Sequence, residues 1–167
     1  MSEEISLRDA VAGDAELLRT WRNDPDTLAA SGSGDEVDEA EHAAWLERLL
    51  ADPDRHLWIA EVGGSDAGQV RFERVRGYEY EISVSVDPQL RGKGLGTALI
   101  SAGCARLWTT TNATGVIARV RAENAASAAA FAQAGFRPDG AASEGFDRLR
   151  FARPDEWAPG LRLRAAG

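Results

Sequence analysis

Lysine is almost missing from this chain of 167 residues: of its 19 Lys and Arg side chains, Lys93 is the one lysine. Cysteine is as scarce. Cys104 stands alone, which excludes an internal disulfide and fits a reducing, cytoplasmic setting. No apolar run approaches the roughly 20 residues needed to cross a bilayer. The acidic start, Met1-Ser2-Glu3-Glu4, lacks the basic and apolar segments of a signal peptide. Basic clusters are wanting too, and a formal charge of −8 argues against nucleic acid or an anionic membrane as partner. That charge suits a cationic ligand such as an amine, although solubility alone produces chains as acidic.

The composition, 44% hydrophobic and 28% charged, is that of a chain with a buried core. The length suits a single domain over 1–167, with an irregular tail from about Pro154. No internal repeat is visible. Ile5 to Arg8 alternates as a first strand, and Asp14 can cap a helix carrying Leu17, Leu18 and Trp21 that stops near Asp24-Pro25. Ser31 to Asp35 reads as a flexible loop, and a longer helix runs from about Asp38 to Ala51. Three strands follow, at His56–Val62, Gly68–Arg74 and Tyr78–Val86, with a turn at Gly63–Asp66. In the third, Tyr78, Tyr80, Ile82, Val84 and Val86 share one face; Glu79, Glu81, Ser83 and Ser85 share the other. A helix ending near Trp108, with Leu95, Leu99, Ala102 and Arg106 at helical spacing, leads to a strand at Val116–Arg121. A helix from Asn124 to Ala134 and a strand at Phe146–Ala152 complete an α+β layout, with helices packed on a mixed sheet.

Residues 91 to 97 read Arg-Gly-Lys-Gly-Leu-Gly-Thr, between a strand and a helix. Glycines at alternate positions let the backbone turn tightly and approach a ligand closely. The amides from Gly92 to Thr97 and the positive end of the following helix form a cradle for a pyrophosphate. The loop is not a Walker loop, because Gly92-Lys93-Gly94 lacks that spacing. Nor is it a Rossmann fingerprint, being late in the chain with no βαβ unit expected to follow. A plain connecting turn is the remaining alternative.

Val84-Ser85-Val86-Asp87-Pro88 followed by Arg91-x-x-Gly94-x-Gly96-Thr97-Ala98-Leu99 resembles the acetyl-CoA motif of the GNAT N-acetyltransferase superfamily. Asn124-Ala125-Ala126-Ser127, then Ala134-Gly135-Phe136, is similar to that family's later cofactor motif. The resemblance implies the GNAT fold: a mostly antiparallel mixed sheet flanked by helices and splayed at the strand before the glycine-rich loop. It implies acetyl-CoA as cosubstrate, no metal, and direct attack by an amine without an acyl-enzyme. Backbone groups of Val84, Ser85 and Val86 would pair with the pantetheine arm. The segment Arg91, Gly92, Lys93, Gly94, Leu95, Gly96 and Thr97 would hold the pyrophosphate. Lys93 can meet a phosphate or stay solvated. Asn124 would cap its helix and reach the cofactor, and Phe131 stands where many members carry a proton-donating tyrosine.

Acetyl transfer needs a neutral amine, a polarised thioester and a proton for the leaving thiolate. Glu81 is the expected base, because it sits just before the cofactor-pairing segment on a polar face shared with Glu79. Tyr78 and Tyr80 are alternative acids on an apolar face, and Cys104 reads as a core thiol. Trp21-Arg22-Asn23-Asp24-Pro25 and Glu41-His42-x-x-Trp45-Leu46 are similar to members that acetylate amino-sugar nucleotides, of the pseudaminic-acid type. Related segments occur in ribosomal-protein and aminoglycoside acetyltransferases. His42 can touch substrate or help move a proton, or simply pack at a helix edge. The expected partner is a small-molecule or peptide amine, with the oligomeric state open, a homodimer included. Two readings stand: a working N-acetyltransferase, or a non-catalytic acyl-CoA-binding domain, which the phenylalanine at 131 motivates. An unrelated nucleotide-binding domain lacks a supporting motif.

Overall fold

A computed structural model describes residues 4–31, 35–140 and 143–157. The expected loop at Ser31–Asp35 and the tail beyond Trp157 lie largely outside the described residues. The chain runs β1 (Ile5–Asp9), α1 (Ala15–Arg22), α2 (Pro25–Ser31), α3 (Glu39–Ala51), β2 (Arg55–Val62), β3 (Ser65–Arg76) and β4 (Glu79–Val86). It continues with α4 (Leu95–Thr110), β5 (Gly115–Arg121), α5 (Ala125–Gln133), β6 (Arg137–Pro138) and β7 (Phe146–Ala152). The strands form one sheet in the order β1-β2-β3-β4-β5-β7-β6. Every neighbouring pair is antiparallel except β4 and β5. No helix among the described residues is long and apolar enough to cross a membrane.

The sheet buries both faces at its centre. Leu57, Trp58, Ile59 and Ala60 of β2 are all buried, as a contiguous apolar run in a covered strand should be. Trp58, with Val70, Phe72, Tyr80 and Ile82, faces α4; Leu57 and Ile59 face Leu18, Trp21, Leu46 and Leu49 of α1 and α3. Helix α4 lies tight on β3 because Gly103 has no side chain. A Cβ there would meet Val70 Cγ2 at 2.8 Å.

The expected stripe on α4 is shifted. Its buried face is Leu99, Ile100, Gly103, Cys104, Leu107 and Trp108. Leu95 and Ala102 are only half-buried. Arg106 reaches over the Trp58 ring, at 4.9 Å, to the Leu7 carbonyl and Asp9. A helix crossing several strands needs a wider apolar arc than one 3.6-residue stripe supplies. Asp14 also departs from expectation. Its carboxylate accepts both ends of the Arg8 guanidinium, at 2.8 and 2.9 Å, and the Val11 amide, so it makes no side-chain cap on α1. The paired, charge-assisted bonds outcompete a single amide.

Candidate functional site: a cleft where the sheet opens

Strand β4 pairs with β5 over three positions only: Glu79 with Gly115, Tyr80 with Val116 and Glu81 with Ile117. Beyond Glu81 the strands part, although β4 continues to Val86 and β5 to Arg121. The crossover that joins them is α4, so β4, α4 and β5 form a parallel βαβ connection, which corrects the expectation that no such unit lay near the loop. Splayed parallel strands leave backbone donors and acceptors of Val84, Ser85 and Val86 without a strand partner on that side.

A cleft of about 660 Å³ fills the gap. Its walls are Val84–Val86, the loop residues Arg91, Gly92 and Gly94 to Thr97, and one side of α5 from Asn124 to Gln133. Gly92 and Gly94 hold φ of +79° and +78°, a left-handed backbone that favours glycine. Gly94 is the N-cap of α4, so the amides of Leu95, Gly96 and Thr97 sit where a helix has no internal acceptor to offer. Asn124 caps its helix as expected, its Oδ1 accepting the Ser127 amide at 3.1 Å, and it also lines the cleft. Across the mouth, Thr97 Oγ1 donates to Gln133 Oε1 at 3.0 Å and ties α4 to α5.

Three of the expected cofactor residues have surroundings that the sequence did not show. Arg91 lines the cleft, but its guanidinium is held by Asp24 (2.8 Å), Asp26 (3.1 Å) and Thr27 (3.1 Å). It therefore anchors α2 to the loop rather than offering its full charge to a phosphate. Burial pushes the Asp24 carboxyl up, but the Arg91 and Thr27 hydrogen bonds outweigh it and hold the group below its usual range. Lys93 is exposed and is not part of the cleft wall. Phe131 is buried, stacked edge-on to Phe136 at 5.0 Å, and does not line the cleft. Its apolar ring is worth more in the core between α5 and the sheet than beside a polar cofactor.

Helix α2 and its cleft residues, Asp26 and Thr27, were missed by sequence reasoning, which took Asp24-Pro25 only as a stop. The signal was present. Asp24 caps with Oδ2 to the Thr27 amide, and Pro25 occupies the first helical position. The rest of the Trp21–Pro25 segment is a bracket: Trp21 Nε1 donates to Asp87 at 3.0 Å, and the Asn23 amide exchanges two hydrogen bonds with the Val37 backbone.

On the opposite face of the sheet, Glu81 is half-buried and lines a separate groove of about 380 Å³ with Ile117 and Arg119. Its expected companion Glu79 is taken by Arg150 at 2.7 Å; the carboxylate directly across the ladder is Glu73. Tyr80 is buried on the α4 face, where burial raises its pKa, and Tyr78 is exposed with Arg74 over its ring. Neither lines the cleft. Cys104 is buried, and burial pushes its thiol far up, which leaves it inert.

A GNAT acetyltransferase domain model matches residues 4–137. The chain belongs to the GNAT acetyltransferase family. As a member it is an acetyl-CoA-dependent acetyltransferase. Solved structures agree on the GNAT fold. The aminoglycoside acetyltransferase AAC(6')-Ib with coenzyme A and kanamycin is 18% identical with a TM-score of 0.78, covering 98% of this chain and 100% of that one. The Vibrio cholerae spermidine N-acetyltransferase with CoA and spermine is 17% identical with a TM-score of 0.80, covering 89% and 95%. A domain from Methanocaldococcus jannaschii is 22% identical with a TM-score of 0.79, covering 91% and 100%. No curated protein sequence matches.

Burial acts on both histidines of this GNAT chain: His42 is buried on α3, and His56 is half-buried on β2. His42 is lowered by burial first, then by Arg19, Arg22 and Arg71; His56 is lowered mainly by burial. Unfolded, each titrates near about 6.5, so the unfolded state binds more protons just below that pH. The stability tied to neutral imidazoles is complete above about pH 6.5 and is lost as the pH falls. Urea midpoints measured from pH 8 to about pH 5 should fall on the acid side, and His42→Gln should fall less steeply.

Proposed function

We propose that this protein moves the acetyl group of acetyl-CoA to the primary amine of a small molecule by direct attack in a ternary complex. The observation that carries the reading is the β4–β5 pair that stops at Glu81 and opens onto a cleft walled by the glycine-rich loop. Acetyl-CoA supplies the activated acyl group; the chain supplies position and proton traffic. Val84–Val86 would orient the pantetheine arm, the amides around Gly92, Gly94 and Gly96 the diphosphate, and Asn124 the segment between. Glu81, at the last paired position, would accept the proton of the incoming ammonium directly or through water. His42, neutral because it is buried, is the second group able to take a proton. The tyrosine usual for the thiolate has no counterpart at the buried Phe131, so the mechanism routes no proton through that position.

The acceptor reading is an amino sugar or sugar nucleotide, supported by the Trp21–Pro25 and Glu41–Leu46 likeness; an aminoglycoside is the alternative supported by the solved relatives. Calorimetry with CoA and acetyl-CoA tests the cofactor half. Free-thiol release across a panel of amines tests catalysis. Binding with no thiol release from any amine would favour an acyl-CoA-binding domain instead.

A further inference from the structure

A second cavity, of about 610 Å³, lies on the sheet face away from α4, between α3 and the end of α1. Its wall brings together Arg22, Arg48 and Arg71 with a single carboxylate, Glu41. Three guanidiniums against one acid is a local inversion of a chain whose net charge is −8. Arg71 is the inner member. It is half-buried, lies 5.2 Å from the Trp45 ring centroid, and donates to Ser83 Oγ at 3.3 Å. Among the described residues no carboxylate lies within ion-pair distance of Arg71 or Arg48. The nearest acid along its own strand, Glu73, pairs with Arg55 instead. Burial lowers the Arg71 pKa and outweighs the opposing charges of Glu73 and Glu81.

His42 lines the same cavity. It is 4% exposed, and its Nδ1 has no hydrogen-bond partner. Buried polar atoms ordinarily have partners, so this one marks a place for an oxygen or a hydroxyl from outside. The position within the sheet fits a substrate. Ser83, which Arg71 contacts, lies on one face of β4 between Glu81 and Ser85, each about 7 Å away by strand geometry. Ser85 belongs to the cofactor cleft. A molecule seated under Arg71 would therefore reach the open end of the β4–β5 pair with a group a few bonds away.

We infer that the acceptor amine carries an anionic oxyacid group, carboxylate or phosphate, which Arg22, Arg48 and Arg71 bind while the amine stands beside Glu81. This rests on the acetyltransferase reading and narrows its substrate class. Planar guanidiniums fit carboxylate and phosphate oxygens in pairs, which an ammonium cannot do. Kanamycin and spermine, bound in the solved relatives, are polyamines, and three guanidiniums would repel such a ligand here.

The test uses the full chain saturated with CoA, so that the diphosphate cradle is already filled. The chain has two histidines, and His42 gives one of two imidazole signals in the proton NMR spectrum. Inorganic phosphate, acetate and spermidine are titrated separately. Phosphate or acetate should shift the His42 signal saturably and leave His56 in place, with affinity about ten-fold weaker in Arg71→Gln. The tighter of the two anions assigns the group. Spermidine should produce no saturable shift. CoA affinity should be unchanged in Arg71→Gln, which also reports that the variant folds; Arg48→Gln, on the exposed side of α3, takes its place if it does not. Equal movement of both histidines, no saturable shift with either anion, affinity unchanged in the arginine variant, or preferential spermidine binding would each overturn the inference. Failure of CoA to bind at the outset would instead remove the acetyltransferase reading beneath it.

Discussion

Glu81→Gln should lower kcat by about 10² to 10⁴, the usual contribution of a positioned general base, and leave KM for acetyl-CoA nearly unchanged. The change keeps the shape of the side chain and removes only its capacity to take a proton. Glu81 is half-buried at the last rung before the strands part, so the amide can occupy the same space. An unchanged Tm beside the fall in kcat would set the loss apart from mere mispacking. Glu79→Gln is the informative control. Its carboxylate is engaged by Arg150, so its loss should lower stability more than turnover. If the large fall in kcat appears in His42→Gln while Glu81→Gln stays active, the proton acceptor is the histidine.

Gly92→Ala combined with Gly94→Ala should weaken CoA binding by about thirty- to a thousand-fold, measured by calorimetry. Each glycine holds a left-handed backbone, and forcing an L-residue there costs about 1–2 kcal/mol, or about 2–4 kcal/mol for the pair. A Cβ at either site meets nothing within 4 Å, so the penalty is conformational and not a clash within the protein. The loop has two ways to respond. It can relax to ordinary backbone angles, which spoils the cradle and raises Kd, or it can keep its shape, which lowers Tm. A double variant with both Kd and Tm unchanged would show that the glycine backbone has no part in anion binding.

Local signals made much of this molecule legible. Two-residue alternation in Tyr80 to Val86 assigned β4 and its faces, and the glycine spacing from Gly92 to Gly96 placed a cradle at a helix start. Asn124 declared a helix cap, and the cap is there. Errors came where one residue could serve two ends. Pro25 closes one helix and opens another, and only the closing was read. The net charge was silent in a related way. It suited a cationic ligand, whereas the cavity between α3 and the end of α1 is lined by three arginines, because a sum over the chain says nothing about which charges share a wall.

By itself the sequence determined what depends on neighbours along the chain: strand and helix periods, caps, the turn that only glycine tolerates, and the family likeness those patterns carry. Tertiary structure decided what depends on residues far apart. It engaged Arg91 with Asp24 and Glu79 with Arg150, each more than 60 positions distant, and put Phe131 in the core. It also drew Arg22, Arg48 and Arg71 from three separate elements to one cavity. The physical reason is that hydrogen bonding within an element acts over a few residues, whereas burial and charge compensation are settled only when the sheet closes and distant side chains compete for the same partners.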